Sequence, residues 1–289
     1  VHFLHIAKDN RPNFSSLNNL MKYTVITTFN EGGYNQYGQR MIDTFLQNWP
    51  TSVELQVYAE DCQVNQTAPN LTVFDLHGTC PDLVTFKNRW RGVPKANGDV
   101  TNDPIRSQRK DAGKGFKWDA VRFAHKVYAI FQAARTTDAD WLIWMDADMV
   151  CHSAMSKEFL TGMCDTNYDL CFLGRTGKYS ECGLYAINLK TSMGQLFLSR
   201  FQEYYDQDII FNLDEWHDSF VFDAVRQSMQ CRELDWSRGI IKGEGHPVIN
   251  SAWGAYLDHL KGKRKDTGKS FSKDLKIKRT ENYWQSLPQ

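Results

Sequence analysis

The apolar positions of this chain fall into short β-branched blocks separated by stretches of helical period. Residues 23–29, Tyr-Thr-Val-Ile-Thr-Thr-Phe, predict a buried strand. Asn30-Glu31-Gly32-Gly33 breaks it. Met41, Ile42, Phe45 and Leu46 then recur at helical spacing and predict a helix over 37–48. Val53 to Tyr58 and Leu71 to Leu76 predict two further strands. Strand–helix–strand order implies a parallel sheet with crossover helices. Residues 81–113 are irregular, basic and dotted with Gly and Pro, and predict a long functional loop. Phe116, Ala120, Phe123, Val127, Ile130 and Ala134 then share one helical face, while Lys114, Trp118, Arg122 and Lys126 share another. Trp141 to Met145 is a short apolar run that predicts a central strand, ended by Asp146-Ala147-Asp148. Leu170–Leu173 and Leu184–Leu189 predict later strands, and 192–205 and 217–229 predict helices. The expected fold is a single α/β domain over 1–260, a Rossmann-like, mostly parallel sheet flanked by helices. Residues 261–289 are expected to form a basic C-terminal tail, packed on the domain or partly disordered.

Composition changes this picture little, but charge does. The formal net charge is zero, which excludes bulk electrostatic attraction to nucleic acid or membrane. Yet Lys87 to Lys126 holds eleven Lys/Arg against four Asp, and His259 to Arg279 holds nine against two. Two basic segments in a neutral chain suit an anionic ligand held between them. Aromatic residues reach 13%, enough for a large core plus stacking surfaces for a base or sugar. No apolar run approaches the ~20 residues of a membrane span. Val1 to Ile6 lacks the plan of a signal peptide. The seven Cys form no CxxC pair and no zinc spacing, so reduced thiols and a cytoplasmic location are expected. The sequons starting at Asn13, Asn65 and Asn70 are then read as chance.

Three Asp-x-Asp triplets occur, at 138–140, 146–148 and 206–208. Only Asp146-Ala147-Asp148 directly follows a five-residue apolar run. Carboxylates at the C-terminal end of a central strand sit where open α/β sheets bind ligands. Such a pair can share Mg²⁺ or Mn²⁺ and leave sites for phosphate oxygens and water. Asp214-Glu215-Trp216-His217-Asp218 is a second carboxylate-rich stretch, opening a predicted helix. Its acids suit a helix N-terminus, and Asp218 or Glu215 also suits a place beside an acceptor.

Trp141-Leu-Ile-Trp-Met-Asp-Ala-Asp-Met-Val150 resembles the Asp-x-Asp segment of GT-A-fold glycosyltransferases. His259-Leu-Lys-Gly262-Lys-Arg-Lys265 resembles the His-x-x-Gly-x-x-Lys motif of retaining GT-A enzymes of the glycogenin and galactosyltransferase group, family GT8. Glu181-Cys-Gly183-Leu-Tyr-Ala-Ile-Asn188 resembles their donor-pocket segment, with Glu181 where the family often has Asn. The resemblance implies a GT-A-like fold and metal ligands at Asp146, Asp148 and His259. It implies diphosphate contacts at Gly262 and Lys265, and donor contacts at Ala147 and Gly183. Thr27, Thr28, Phe29 and Asn30 would hold the base and ribose. Lys114, Trp118, Arg122 and Lys126 would face the donor from the helix, Arg122 foremost. Asp218, Glu215 and Glu181 are the candidate catalytic carboxylates. His246 is an alternative metal ligand.

The implied activity is that of a hexosyltransferase using a UDP-sugar donor with Mn²⁺ or Mg²⁺, retaining rather than inverting. The acceptor is open among a glycan, a protein, a small molecule or a modified nucleic acid. Two other classes stay in view. A nucleotidyltransferase shares the fold type but usually has a basic Gly-rich loop after the first strand, and Asn30-Glu31-Gly32-Gly33-Tyr34 has no base nearby. A non-catalytic nucleotide-sugar-binding scaffold would not need the intact Asp pair and His259.

Overall fold

The computed structural model describes residues 21–238 and 246–288, so the Val1–Ile6 segment and the Asn13 sequon lie outside the described residues. Strands β1 (Tyr23–Asn30), β2 (Glu54–Glu60), β3 (Leu71–Asp75) and β4 (Trp141–Met145) pair in parallel in the order β3-β2-β1-β4. After the short β5 (Met149–Cys151) come β6 (Leu170–Phe172), β7 (Leu184–Asn188) and β8 (Glu233–Asp235), which extend the sheet as β4-β7-β6-β8. β7 alone opposes its neighbours β4 and β6, and β6 pairs with β8 in parallel. The sheet is therefore mostly parallel, as the block pattern predicts. The order reverses between β1 and β4, and a ligand crevice belongs at the C-terminal ends of those strands.

Helices cover both faces: α1 (Gln39–Asn48), α2 (Pro81–Trp90), α3 (Ala120–Thr136), the short α4 (Lys157–Met163), α5 (Ser192–Asp206) and α6 (Asp218–Gln227). All of β4 is buried, which explains its unbroken apolar run. Leu142 and Trp144 join Val127, Ile130 and Phe201 on one face. Trp141, Ile143 and Met145 join Met41, Ile42 and Phe45 on the other. Each fully buried side chain of this size contributes roughly 1.5–3 kcal/mol.

The structure corrects the sequence expectation at three places. Asn30-Glu31-Gly32-Gly33 ends β1, as its residues predict, but helical structure begins there and not at residue 37. The Asn30 side chain accepts from Gly33 N at 2.9 Å and caps a helical turn that runs through a π segment, Tyr34–Gly38, into α1. Residues 81–113 are not one long loop, because α2 begins at Pro81 and buries Leu83 and Phe86. Only two buried apolar positions mark that helix, too few for a visible period. Finally, α3 starts at Ala120, capped by the Asp119 side chain, and Gly115–Trp118 is a separate 3₁₀ turn. That turn rotates Phe116 away from the predicted apolar face, leaving it 48% exposed, and sends Trp118 into the core.

A two-stranded ribbon pairs β5 with β9 (Leu257–His259) in antiparallel fashion, Met149 opposite His259. The chain beyond it is tied to this ribbon. Asp258 is fully buried and accepts from Ser270 N at 2.8 Å and from the Tyr283 hydroxyl at 2.8 Å. The Tyr283 ring stacks on His152 at 4.0 Å, and Trp284 Nε1 donates to Gly254 O at 2.7 Å. All seven cysteines are free thiols. No described helix is long and apolar enough to cross a membrane.

Candidate metal and donor site

Two pairings converge on the end of β4. The antiparallel β4–β7 register ends with Met145 opposite Leu184, so Asp146 N donates to Gly183 O at 2.8 Å. The ribbon carries His259 to Asp148, fixed by Leu260 N donating to Asp148 O at 2.9 Å. Asp146, Asp148 and His259 thereby bring one ligand atom each within 4.8 Å of one another. His259 Nε2 stands 3.1 Å from Asp148 Oδ1 and 3.7 Å from Asp146 Oδ2. His246, the alternative ligand, packs its ring on His259 at 5.7 Å and is not in the triad.

The donor set fits a divalent cation. His259 is fully buried and its Nδ1 has no partner, while its Nε2 and Asp148 Oδ1 face each other at 3.1 Å as an ion-pair contact without hydrogen-bond geometry. Buried polar atoms left unpaired cost about 1–3 kcal/mol each. A hard cation between two carboxylates and an imidazole removes that cost. Lys265 Nζ lies 3.1 Å from Asp148 Oδ2 and 4.4 Å above the Tyr37 ring. Burial pushes the Asp148 carboxyl up, but His259 and Lys265 outweigh it and hold it below the usual carboxylate range.

Lys126 is the residue whose role the sequence does not show. It sits on the face of α3 read as polar, yet it is buried at 7% exposure. Its Nζ donates to Asp218 Oδ2 at 2.7 Å, to Asp146 Oδ1 at 3.2 Å and to Cys182 O, and lies 4.6 Å over the Trp144 ring. Trp144 Nε1 also donates to Asp146 Oδ1, at 2.7 Å. Burial alone would lower the Lys126 pKa, but Asp146 and Asp218 raise it above the ordinary lysine value. Burial likewise raises Asp218, and Lys126 overrides it, so Asp218 stays below the ordinary value. A lone helical Lys in a basic stripe gives no signal of such burial.

A cavity of about 540 Å³ opens over this group. Among the expected site residues, Thr28, Arg122, Asp146, Ala147, Asp148, Glu181, Gly183, Asp218 and Lys265 line it. The others do not. Thr27 is fully buried, Phe29 stacks on Tyr34 in the core, and Asn30 caps the turn after β1. Strand alternation permits only one of Thr27 and Thr28 to face the cavity. Lys114 precedes the 3₁₀ turn and lines a neighbouring cavity instead. Glu215 is buried among Lys117 at 2.7 Å, Arg109 at 3.1 Å and His217 at 3.0 Å, away from the cavity. Gly262 does not line the cavity either, and its φ of +58° provides the turn between His259 and Lys265. Glu181 does line it, already paired with Lys261 and, at 3.4 Å, with Arg175. The cavity walls also include Tyr37, Phe116, Arg175, Tyr179 and Lys261, which no motif marks.

The two other Asp-x-Asp triplets have structural partners. Asp138 pairs with Lys22 at 2.5 Å, and Asp208, at φ +59°, pairs with Arg89 at 2.9 Å. A second cluster, Glu60, His77 and His125, also has ligand-like spacing. Lys87 Nζ already serves it, at 3.2 Å from Glu60, 2.9 Å from His77 and 2.8 Å from His125.

Residues 103–229 match the family model described as Glycosyl transferase family 2. The matched stretch takes in β4, the Asp pair, Gly183 and Asp218, and stops before His259 and Lys265. No curated protein matches the chain. Among solved structures, the apo bifunctional glycosyltransferase WbbM is 10% identical, with 75% of this chain and 39% of that chain covered and a TM-score of 0.45. The apo form of the glycosyltransferase GlyE of Streptococcus pneumoniae TIGR4 is 9% identical, with 75% and 46% covered and a TM-score of 0.42. The chain thus spans less than half the length of either. The family match on this mostly parallel, single-domain α/β sheet supports a glycosyltransferase enzyme of GT-A fold.

Proposed function

We propose that this protein transfers a hexose from a UDP-sugar to an acceptor hydroxyl, with a divalent cation at Asp146, Asp148 and His259. The observation that carries this reading is the Asp146–Asp148–His259 triad at the end of β4, in which the buried His259 imidazole faces Asp148 Oδ1 at 3.1 Å without hydrogen-bond geometry and its Nδ1 is unpaired. A cation held there supplies positive charge for the donor diphosphate. Lys265 adds a positive charge on the same side, and Arg122 reaches the cavity with no acidic partner among the described residues. Both suit phosphate oxygens.

In the transfer, the acceptor oxygen bonds to the anomeric carbon, and the bond from that carbon to the diphosphate oxygen breaks. The bonding pair stays on the diphosphate, and the hydroxyl proton passes to it. Asp218 is suited to stabilise the positive charge that develops on the sugar. Lys126 keeps it ionised, whereas a general base works best with a pKa near the working pH. That electrostatic assignment favours retention, in line with the GT8-like His-x-x-Gly-x-x-Lys spacing.

The test is a thermal-shift panel of UDP-sugars with and without Mn²⁺, followed by product analysis by NMR. The expected result is a Mn²⁺-dependent shift with one UDP-hexose and a product with the donor's anomeric configuration. The reading fails if no nucleotide sugar is hydrolysed or transferred with Mn²⁺, or if Asp148→Ala keeps full metal-dependent turnover. An inverted product would reassign Asp218 as the base that takes the acceptor proton.

A further inference from the structure

A second cavity, of about 740 Å³, lies beside the first and shares Lys117, Arg175 and Tyr179 with it as a common wall. Its lining carries four cations, Lys114, Lys117, Arg175 and Lys178, against one acid, Asp223. That acid is engaged elsewhere. Asp223 accepts from Ser180 N at 2.8 Å and from Ser180 Oγ at 2.6 Å, and it pairs with Arg226 at 3.0 Å. Lys117 is held by Asp111 and Glu215, each at 2.7 Å, and Arg175 by Glu181. These two therefore form a fixed wall. Lys114 is exposed and has no acid within ion-pairing distance among the described residues.

The same cavity carries an aromatic surface. Tyr179 packs edge-on against Phe220 at 5.2 Å and His217 at 5.0 Å, with Lys117 Nζ 6.0 Å over its ring. Half-buried rings of this kind offer an apolar face to a sugar ring. Lys114 and Lys178 lie outside the cavity that holds Asp146, Asp148 and Lys265. The donor diphosphate already has its own cations there, so Lys114 faces whatever enters from the other side.

We propose that this second cavity is the acceptor subsite and that the acceptor is an anionic sugar, bearing a carboxylate or a phosphate that Lys114 recognises. The inference rests on the glycosyltransferase reading above.

Saturation-transfer NMR with UDP and Mg²⁺ present tests it, using glucuronate, glucose 6-phosphate and glucose as probes. At least one anion is expected to bind, with glucose weaker by about tenfold or more, the equivalent of one charge-assisted contact. Binding of glucuronate alone assigns a carboxylate, and binding of glucose 6-phosphate alone assigns a phosphate. Lys114→Gln is expected to weaken the anion by about tenfold, with UDP–Mg²⁺ affinity unchanged. The proposal is overturned if glucose binds as well as the anions, if neither anion binds, or if Lys114→Gln binds the anion as the parent does. The saturation-transfer signal of UDP itself in the same samples separates the two failures. Loss of the anion with UDP still bound removes only the acceptor assignment, whereas absence of UDP binding removes the donor reading as well.

Discussion

A Cβ added at Gly183 would stand 2.4 Å from Cε1 of His259 and 3.1 Å from Oδ2 of Asp146. Gly183 is the residue whose carbonyl fixes Asp146, so the closest approach in the site is built into its scaffold. His259 lies in a strand and is fully buried, and it has no room to move aside. Gly183→Ala should therefore abolish the Mn²⁺-dependent thermal shift. In the His259→Ala background the same change should cost little more, because the clash partner is gone. Calorimetric Mn²⁺ titration of the two single variants and the double variant checks this. Independent, additive losses would argue against it.

Lys126→Met should destabilise the fold by about 3–5 kcal/mol, because it leaves the partly buried Asp218 carboxylate and Asp146 without their shared cation. Adding Asp218→Asn should restore a good part of that loss. Urea unfolding of the single and double variants measures both. A Lys126→Met cost within ~0.5 kcal/mol, the range of ordinary surface changes, would show that the pair is not needed.

Glu60 gives the acid limb of stability. The hydrogen bond from His125 lowers its pKa to about 2 against the opposing effect of burial, with Lys87 assisting. Its folded pKa lies below the unfolded value of roughly 4.3, so its contribution is fully present above that pH. It is lost as pH falls from about 4 towards 2. Glu60→Gln should make urea stability less steep in pH across that window and leave metal binding intact. An unchanged acid slope would remove Glu60 from the account.

Removing residues 264–289 should unfold or severely weaken the protein. Asp258 would lose Ser270 and Tyr283 as donors while staying buried, at about 1–3 kcal/mol for each unpaired group and more for a charge. A milder version, Tyr283→Phe, should lower the melting temperature while sparing the sheet. A truncated chain that melts like the parent would show that the C-terminal segment is dispensable.

The sequence makes the sheet legible where burial is two-sided. β4 is an unbroken apolar run and β1 a β-branched and aromatic one because helices cover both of their faces. The position of Asp146 and Asp148 follows from the end of such a run. His259 is legible through its motif, although its approach to Asp148 depends on a ribbon between strands of only three residues each, too short to show a period. The direction of a side chain within a half-turn is harder to read. Thr27 and Thr28 differ by one step of alternation, and Phe116 lies one 3₁₀ turn outside α3. Glu215 and Asp218 are alike in sequence, yet one meets Lys117, Arg109 and His217 and the other meets Lys126. Which lysine reaches which acid is set by packing between α3, α6 and the 3₁₀ turn, and no local pattern encodes that.

The β5–β9 ribbon also bears on the order of events during synthesis. Chain emerging from a ribosome up to the end of α6 already holds β1 to β7, both carboxylates at the end of β4 and Lys126. It lacks the imidazole, which arrives only with β9. Domains fold largely as the chain appears, so the sheet can condense well before the cation site can close. Chemical competence would then come as a last act, withheld from every shorter nascent chain and conferred by the strand that also anchors the C-terminal wrap.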